Sequence, residues 1–280
     1  MRRVYISLLT LAVCAPAFGA AAADLDGSYK DGGAAPADEW AISGAKVGGI
    51  LVIMPKYEGS KEYEVLGLPY ILPIFAGGGP GFFSRIDARG ADDVRFNLIE
   101  REGFVAGPLG GYSFGREEDD GDLLGGLGDI DGGLVVGGFV GYRLGPVLFD
   151  VSYHQYLDDS EGYQIRFGAE AERRISDHVT LTGRIGATYA DDNYMQTYFG
   201  VSDAQALNSD ADLDASNAEA GFKDVNVEVG IKADLDDRWS AKASVRYSHL
   251  LGDAGDSEVV ESDDQFMGLV GLSYKFYSER

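Results

Sequence analysis

The chain has 280 residues and a formal net charge of −23, with 46 acidic against 23 basic side chains and 40 glycines, 16 tyrosines and 14 phenylalanines. That balance excludes nucleic acid as a partner, because binding it takes a basic surface that displaces counterions. Cys14 is the single cysteine, so neither a disulfide nor a thiolate metal centre is expected.

Arg2 and Arg3 precede an almost wholly apolar stretch, and small residues follow up to Ala21-Ala22-Ala23. This three-part layout predicts a secretory signal peptide over residues 1–23. Its apolar run is shorter than the roughly 20 residues of a spanning helix. Cleavage would remove Cys14 and two positive charges, taking the chain from −23 to about −25. Residues 24–39 are polar and Gly/Ala-rich and predict a flexible periplasmic segment.

Beyond this point the pattern has period two. Val225, Val227, Val229, Ile231 and Ala233 alternate with Asn226, Glu228 and Lys232; Trp239, Ala241, Ala243, Val245 and Tyr247 alternate with Ser240, Lys242, Ser244 and Arg246. Period two places the two sets on opposite faces of a strand. Twelve strands are predicted, starting near Ile42, Val65, Phe82, Val94, Val105, Gly133, Val147, Tyr163, Val179, Val225, Trp239 and Phe266. Pro69 and Pro73 interrupt the second.

A soluble sandwich would also alternate. These strands, however, run about 10 to 12 residues, against a usual 5 or 6, and aromatics gather near their ends. The connections alternate in length. The short ones are Gly77–Gly81, Glu100–Gly103, Leu144–Pro146, Ser176–His178 and Asp236–Arg238. The long ones are Lys56–Tyr63, Arg116–Asp131, Leu157–Gly162, Asp191–Lys223 and Gly252–Gln265. One parity puts every long link on one side. The prediction is an all-β fold: an antiparallel transmembrane β-barrel over residues 40–276 in a Gram-negative outer membrane, with short periplasmic turns and long acidic extracellular loops. Residues 277–280 form a tail. Val270, Leu272, Tyr274 and Phe276 give the last strand an apolar face ending in aromatics, and Tyr274 and Phe276 are the candidate signal for the barrel assembly machinery.

The runs Tyr112-Ser113-Phe114-Gly115-Arg116-Glu117-Glu118-Asp119-Asp120, Leu123-Leu124-Gly125-Gly126-Leu127-Gly128-Asp129-Ile130 and Tyr194-Met195-Gln196-Thr197-Tyr198-Phe199-Gly200-Val201, together with the stretch from Trp239 to Phe276, resemble the MipA/OmpV family. The resemblance covers nearly all of residues 40–276. It implies an outer-membrane barrel, and more loosely a scaffold that bridges a murein synthase and a lytic transglycosylase; other members are linked to adhesion and permeability.

The acidic loops predict a solvated, self-repelling surface, or alternatively divalent cations bridging to lipopolysaccharide. Asp210, Asp212 and Asp214 open like a calcium loop, but Ala215 stands where the pattern wants glycine and Gly221 where it wants glutamate. No metal, cofactor or catalytic residue is assigned. Asp150, Ser152 and His154 form the row closest to a triad, yet neighbours on one strand face lie near 7 Å apart at about 3.3 Å per residue, which predicts no direct Ser–His hydrogen bond. An enzyme is not expected.

Two function classes stay open. In one the barrel is a scaffold for envelope maintenance, working through its periplasmic turns. In the other it is a small channel. The inward charges Arg166, Glu170, Glu172, Arg184, Glu228, Lys232, Lys242 and Arg246 decide between them. Paired across the lumen they plug it; a surplus of one sign makes a selectivity filter.

Overall fold

The computed structural model describes residues 42–75 and 85–277. The predicted signal peptide, the flexible segment, the Gly77–Gly81 turn and the strand start at Phe82 fall outside these residues. Thirteen strands are described: β1 (Ile42–Pro55), β2 (Tyr63–Phe75), β3 (Ile86–Gly90), β4 (Asp93–Phe96), β5 (Ile99–Arg101), β6 (Phe104–Ser113), β7 (Gly133–Leu144), β8 (Val147–Leu157), β9 (Tyr163–Ser176), β10 (Val179–Ala190), β11 (Gly221–Asp234), β12 (Trp239–Leu250) and β13 (Asp264–Tyr277). They form one antiparallel sheet in the order β2-β1-β13-β12-β11-β10-β9-β8-β7-β6-β4-β3, with β5 also on β6. Strand β1 pairs with β13 from Gly44↔Tyr277 to Ile53↔Gly268, joining the two ends of the described chain. Among the described residues β2 and β3, at the two ends of the sheet, are not paired.

The expected twelve transits become thirteen strands for a local reason. β4 meets β6 at Leu109 and Gly110, and β5 meets it at Phe104, Val105 and Ala106. The break between them, Asn97–Leu98, lies opposite Gly107–Pro108. Proline cannot donate to a ladder, so one transit is split in two. The predicted Glu100–Gly103 turn is tighter than expected. Glu102 (φ 53°) and Gly103 (φ 84°) turn the chain by themselves, the two-residue geometry that matches strand twist. Pro69 and Pro73 do not interrupt β2, which runs continuously at the end of the sheet, where proline is tolerated.

The two faces differ sharply. On β7 and β8, Leu134, Val136, Val140, Phe149 and Val151 are exposed, while Val135, Phe139, Asp150, Ser152 and His154 are buried. Farther round, Ile185, Val229 and Val270 are 62%, 61% and 60% exposed. An apolar outer face and a polar inner one invert a soluble sandwich and suit a barrel in lipid. Aromatic contacts gird the outer face near both ends: Tyr247 with Phe266 (5.2 Å) and Tyr189 with Phe222 (5.9 Å) toward the long loops, and Trp239 with Tyr274 (4.9 Å) toward the short turns.

All five long connections gather at one end, as the parity predicted, and they pack into a cap. Helix α1 (Asp192–Phe199) starts at Asp191, whose Oδ1 accepts from the Tyr194 and Tyr163 amides at 3.1 and 2.8 Å. Helix α2 (Asp203–Asn208) starts at a Ser202–Gln205 capping box, and α3 is a single turn (Gly252–Gly255). Two apolar clusters hold the cap. One joins Tyr194, Met195 and Phe199 to Val135, Tyr156 and Leu250 of the wall. The other joins Tyr57, Leu124, Leu127, Val201 and Val259.

This corrects the expectation of a merely solvated, self-repelling loop surface. Many of the acids cap loop amides instead: Asp129 accepts from Glu118 N (2.8 Å), Glu258 from Asp214 N (2.8 Å), Asp253 from Glu219 N (2.8 Å) and Asp192 from Ala220 N (2.6 Å). A carboxylate that accepts a backbone N–H makes a stronger bond than a neutral acceptor does. Part of the negative charge is therefore a folding device for the loops.

Candidate functional site

The site is the lumen under this cap, and it is built around Asp150 on β8. Its Oδ1 accepts from Arg95 Nη1 (2.8 Å) and Arg184 Nη2 (3.0 Å), and its Oδ2 from Arg184 Nη1 (2.8 Å) and Arg89 Nη1 (3.3 Å). Three guanidiniums share one carboxylate. Arg95 also makes a fork with Asp93 (2.8 and 2.9 Å), donates to Ser152 Oγ (3.1 Å) and lies 5.0 Å over the Phe139 ring. Planar forks of this kind are what arginine supplies and lysine cannot. Above this layer Arg166 pairs with Asp92, which also accepts from Tyr156 Oη (2.8 Å). The Tyr156 ring lies 5.0 Å from Tyr194 of α1, so the network touches the cap.

The predicted lumen charges divide into two groups. Arg166, Arg184 and Glu170 join the network, with Arg184 at 3.5 Å from Glu170. Glu228 and Arg246 pair at 2.7 Å. Lys232 and Lys242, by contrast, face each other across β11 and β12, with Glu172 an electrostatic neighbour of Lys232. Sequence reasoning missed Asp87, Arg89, Asp92, Asp93 and Arg95, all on or between β3 and β4. The available signal was charge at two-residue spacing, Asp87 with Arg89 and Asp93 with Arg95.

The expectation for Ser152 and His154 is corrected. Ser152 Oγ lies 2.9 Å from His154 Nε2, because side chains two apart on one strand face can lean together even when their Cα atoms are far apart. The pair is not a triad. Both residues are at most 1% exposed, Arg95 donates to the same hydroxyl, Asp93 approaches the same Nε2 at 3.9 Å, and His154 Nδ1, which a triad carboxylate would hold, has no hydrogen-bond partner among the described residues.

In the cap, Tyr198 stacks on Tyr194 at 4.5 Å, donates to Asp158 (3.0 Å) and receives Arg116 Nη1 at its carbonyl (2.9 Å). Glu58 of the β1–β2 loop accepts from Tyr194 Oη (3.0 Å) and pairs with Lys223. Burial pushes the Tyr194 and Tyr198 hydroxyls above their ordinary range, so both stay protonated donors. Asp210, Asp212 and Asp214 are not brought together as ligands. Among the described residues the side chains that converge are His249, Asp263 and Asp264 at the outer rim, with ligand atoms within 4.8 Å of one another. Tyr274 and Phe276, the candidate assembly signal, meet edge to face at 4.6 Å on the outward face of β13.

The profile of the family described as MltA-interacting protein MipA matches residues 47–276. The chain belongs to the MipA family. It is 26% identical over 121 residues to outer membrane protein YiaT of Escherichia coli K12, covering 43% of this chain and 47% of that protein. To outer membrane protein OmpV of Vibrio cholerae it is 26% identical over 125 residues (44% and 46%), and to Omp26La of Vibrio anguillarum 28% over 131 (44% and 46%). The chain spans about half the length of the curated relatives it matches. Among solved structures, the translocator domain of autotransporter NalP from Neisseria meningitidis aligns with 83% of this chain and 88% of its own at 11% identity and a TM-score of 0.41, a likeness too loose to carry an argument. With the apolar outer face and two aromatic girdles, the family match makes this MipA-family chain an outer-membrane β-barrel.

Proposed function

We propose that this MipA-family barrel is a closed-lumen scaffold in envelope maintenance, presenting its periplasmic face to murein enzymes. The observation that carries the reading is the lumen: Asp150, Arg95, Arg184 and Arg89 stand in it as one paired network, and the packed loops lie over it. On this reading opposite charges paired inside a narrow barrel close the aqueous path, and ion flow is not its work. The family description names interaction with MltA; on this reading a lytic transglycosylase and a murein synthase are partners, held from the periplasmic turns. The role is non-enzymatic, since the Ser152–His154 pair is enclosed and its hydroxyl is already engaged by Arg95.

Single-channel recording of the refolded barrel in a planar bilayer tests this. A silent bilayer, with heat-modifiable gel mobility reporting a folded barrel, is the expected result. Steady, reproducible conductance steps would replace the scaffold with a channel.

A further inference from the structure

Below the paired network, toward the periplasm, the lumen changes character. Lys232 on β11 stands directly opposite Lys242 on β12, and Lys46 on β1 stands directly opposite Lys275 on β13. All four lie on the inward face and within a few residues of a periplasmic strand end. Like charges directly opposite one another destabilise a sheet, and here two such pairs sit side by side. They form one group. A Cβ on Gly271 of β13 would stand 3.1 Å from both Cγ and Cε of Lys242, so the lysine stem lies flat across this glycine and carries the ammonium away from β11 and toward Lys46, with which it interacts.

Among the described residues the compensating acid is scarce. Asp234 is shared by Lys232, Lys275 and Lys46, Glu172 is a neighbour of Lys232, and Glu228 is a neighbour of Lys242 that also pairs with Arg246 at 2.7 Å. Among the described residues Lys46, Lys232 and Lys275 form no ion pair within 4.0 Å. Each arginine of the upper layer, by contrast, has a carboxylate partner. In a chain of net charge −23, a local surplus of cations gathered at one mouth is a specific feature. On the closed-lumen reading the paired layer above makes that mouth blind, so whatever enters comes from the periplasm.

We propose that the periplasmic mouth of the lumen binds a multiply charged anion of the carboxylate or phosphate class, held by Lys46, Lys232, Lys242 and Lys275. The anion offsets the repulsion within the lysine group, and the blind mouth limits it to a small molecule or one end of a chain. The site stands on the strand registers; its one-sided entry rests on the closed lumen proposed above, and the scaffold role is not needed for it.

Calorimetric titration of the full refolded chain in detergent, with a murein stem tripeptide as the carboxylate probe and inorganic pyrophosphate as the phosphate probe, tests it. At least one probe is expected to bind, and which one does identifies the source of the anion. The double variant Lys232→Gln/Lys242→Gln should bind at least tenfold more weakly, and Lys46→Gln/Lys275→Gln should do the same from the other wall. Lys61→Gln, one lysine-to-glutamine change at the opposite end of the barrel, should bind as the parent does. Thermal unfolding separates binding from a purely structural role. In anion-free buffer both double variants should unfold at the same or a higher temperature, because repulsion is relieved; the probe should raise the unfolding temperature of the parent alone. Absence of binding by both probes, equal weakening in Lys61→Gln, or destabilised double variants in anion-free buffer would each overturn the proposal.

Discussion

Arg184 reaches Asp150 across an intervening strand. The two residues lie on β10 and β8, and between them on β9 is Gly168, paired with Asp150 on one side and Gly186 on the other. A Cβ on Gly168 would stand 2.0 Å from Arg184 Nη2. The guanidinium therefore occupies the space that a side chain on β9 would fill, and its two bonds to Asp150, at 2.8 and 3.0 Å, depend on glycine at that position.

Gly168→Ala should accordingly destabilise the barrel by displacing Arg184 and not by backbone strain. A hydrogen bond to a charged group contributes about 1.5 to 3 kcal/mol, which sets the expected loss. The two substitutions should be strongly non-additive: in an Arg184→Gln background, Gly168→Ala should cost close to nothing. A double-mutant cycle by urea unfolding in lipid vesicles reads this directly, and additive losses would refute the account.

Asp150→Asn is predicted to be the most damaging single change in the lumen. It leaves Arg89, Arg95 and Arg184 around a neutral amide, and removing one partner from a buried pair costs about 3 to 5 kcal/mol. The heat-modifiable band should convert to the unfolded form at a clearly lower temperature than in the parent. Conversion at the parent temperature would mean that the three guanidiniums are stabilised by groups other than Asp150.

The barrel was legible from sequence because lipid imposes a period of two on every transit, and strands β7 to β13 carry it with a break at Lys223–Asp224, where β11 shifts register against β10. Their predicted starts at Gly133, Val147, Tyr163, Val179 and Trp239 coincide with the observed ones. Residues 64–105 were harder to read. The Pro108 that splits β4 from β5 acts on its neighbours through the ladder, and a lone sequence pattern does not show which strand lies alongside. The lumen network was half legible. Inward facing follows from parity, so Arg166, Arg184, Glu228 and Arg246 were found, but which of them meet depends on barrel curvature and stagger. The cap was not legible, because its acids look like solvated charge until the amides they receive are known.

The cap should open separately from the barrel. Phe199 is 1% exposed and packs with Met195 and Tyr194 over the wall. Phe199→Ala should cost about 3 to 5 kcal/mol of local packing with little effect on the strands, whose hydrogen bonds do not pass through α1. Limited proteolysis should then cut within residues 191–220 while heat-modifiable mobility persists. Simultaneous loss of both would show that cap and barrel unfold as one unit.

The outward aromatics at the end of β13 offer a kinetic test. Phe276 contacts Tyr274, which in turn contacts Trp239 of β12 at 4.9 Å. If these rings are read during assembly, Phe276→Ala should slow insertion into vesicles carrying the assembly machinery by several-fold, with a smaller effect on spontaneous folding into detergent. Equal slowing in both settings would make the aromatic pair a packing feature alone.

Finally, the loop pair Lys61–Glu261 predicts how the cap responds to acid. Burial by itself would raise the Glu261 carboxyl, but the Lys61 ammonium and amide outweigh it and hold the carboxyl below its usual range. A group with a depressed folded pKa contributes stability that is present above its unfolded value and lost as pH falls through the folded one. The ordering of residues 251–263 by this contact should therefore persist through mildly acid solution and fail only below the ordinary glutamate range. Glu261→Gln should remove that acid dependence while leaving the neutral-pH fold in place. Protease sensitivity of this loop as a function of pH measures it, and loss of protection at the ordinary glutamate pKa would show that Lys61 does not hold the carboxyl.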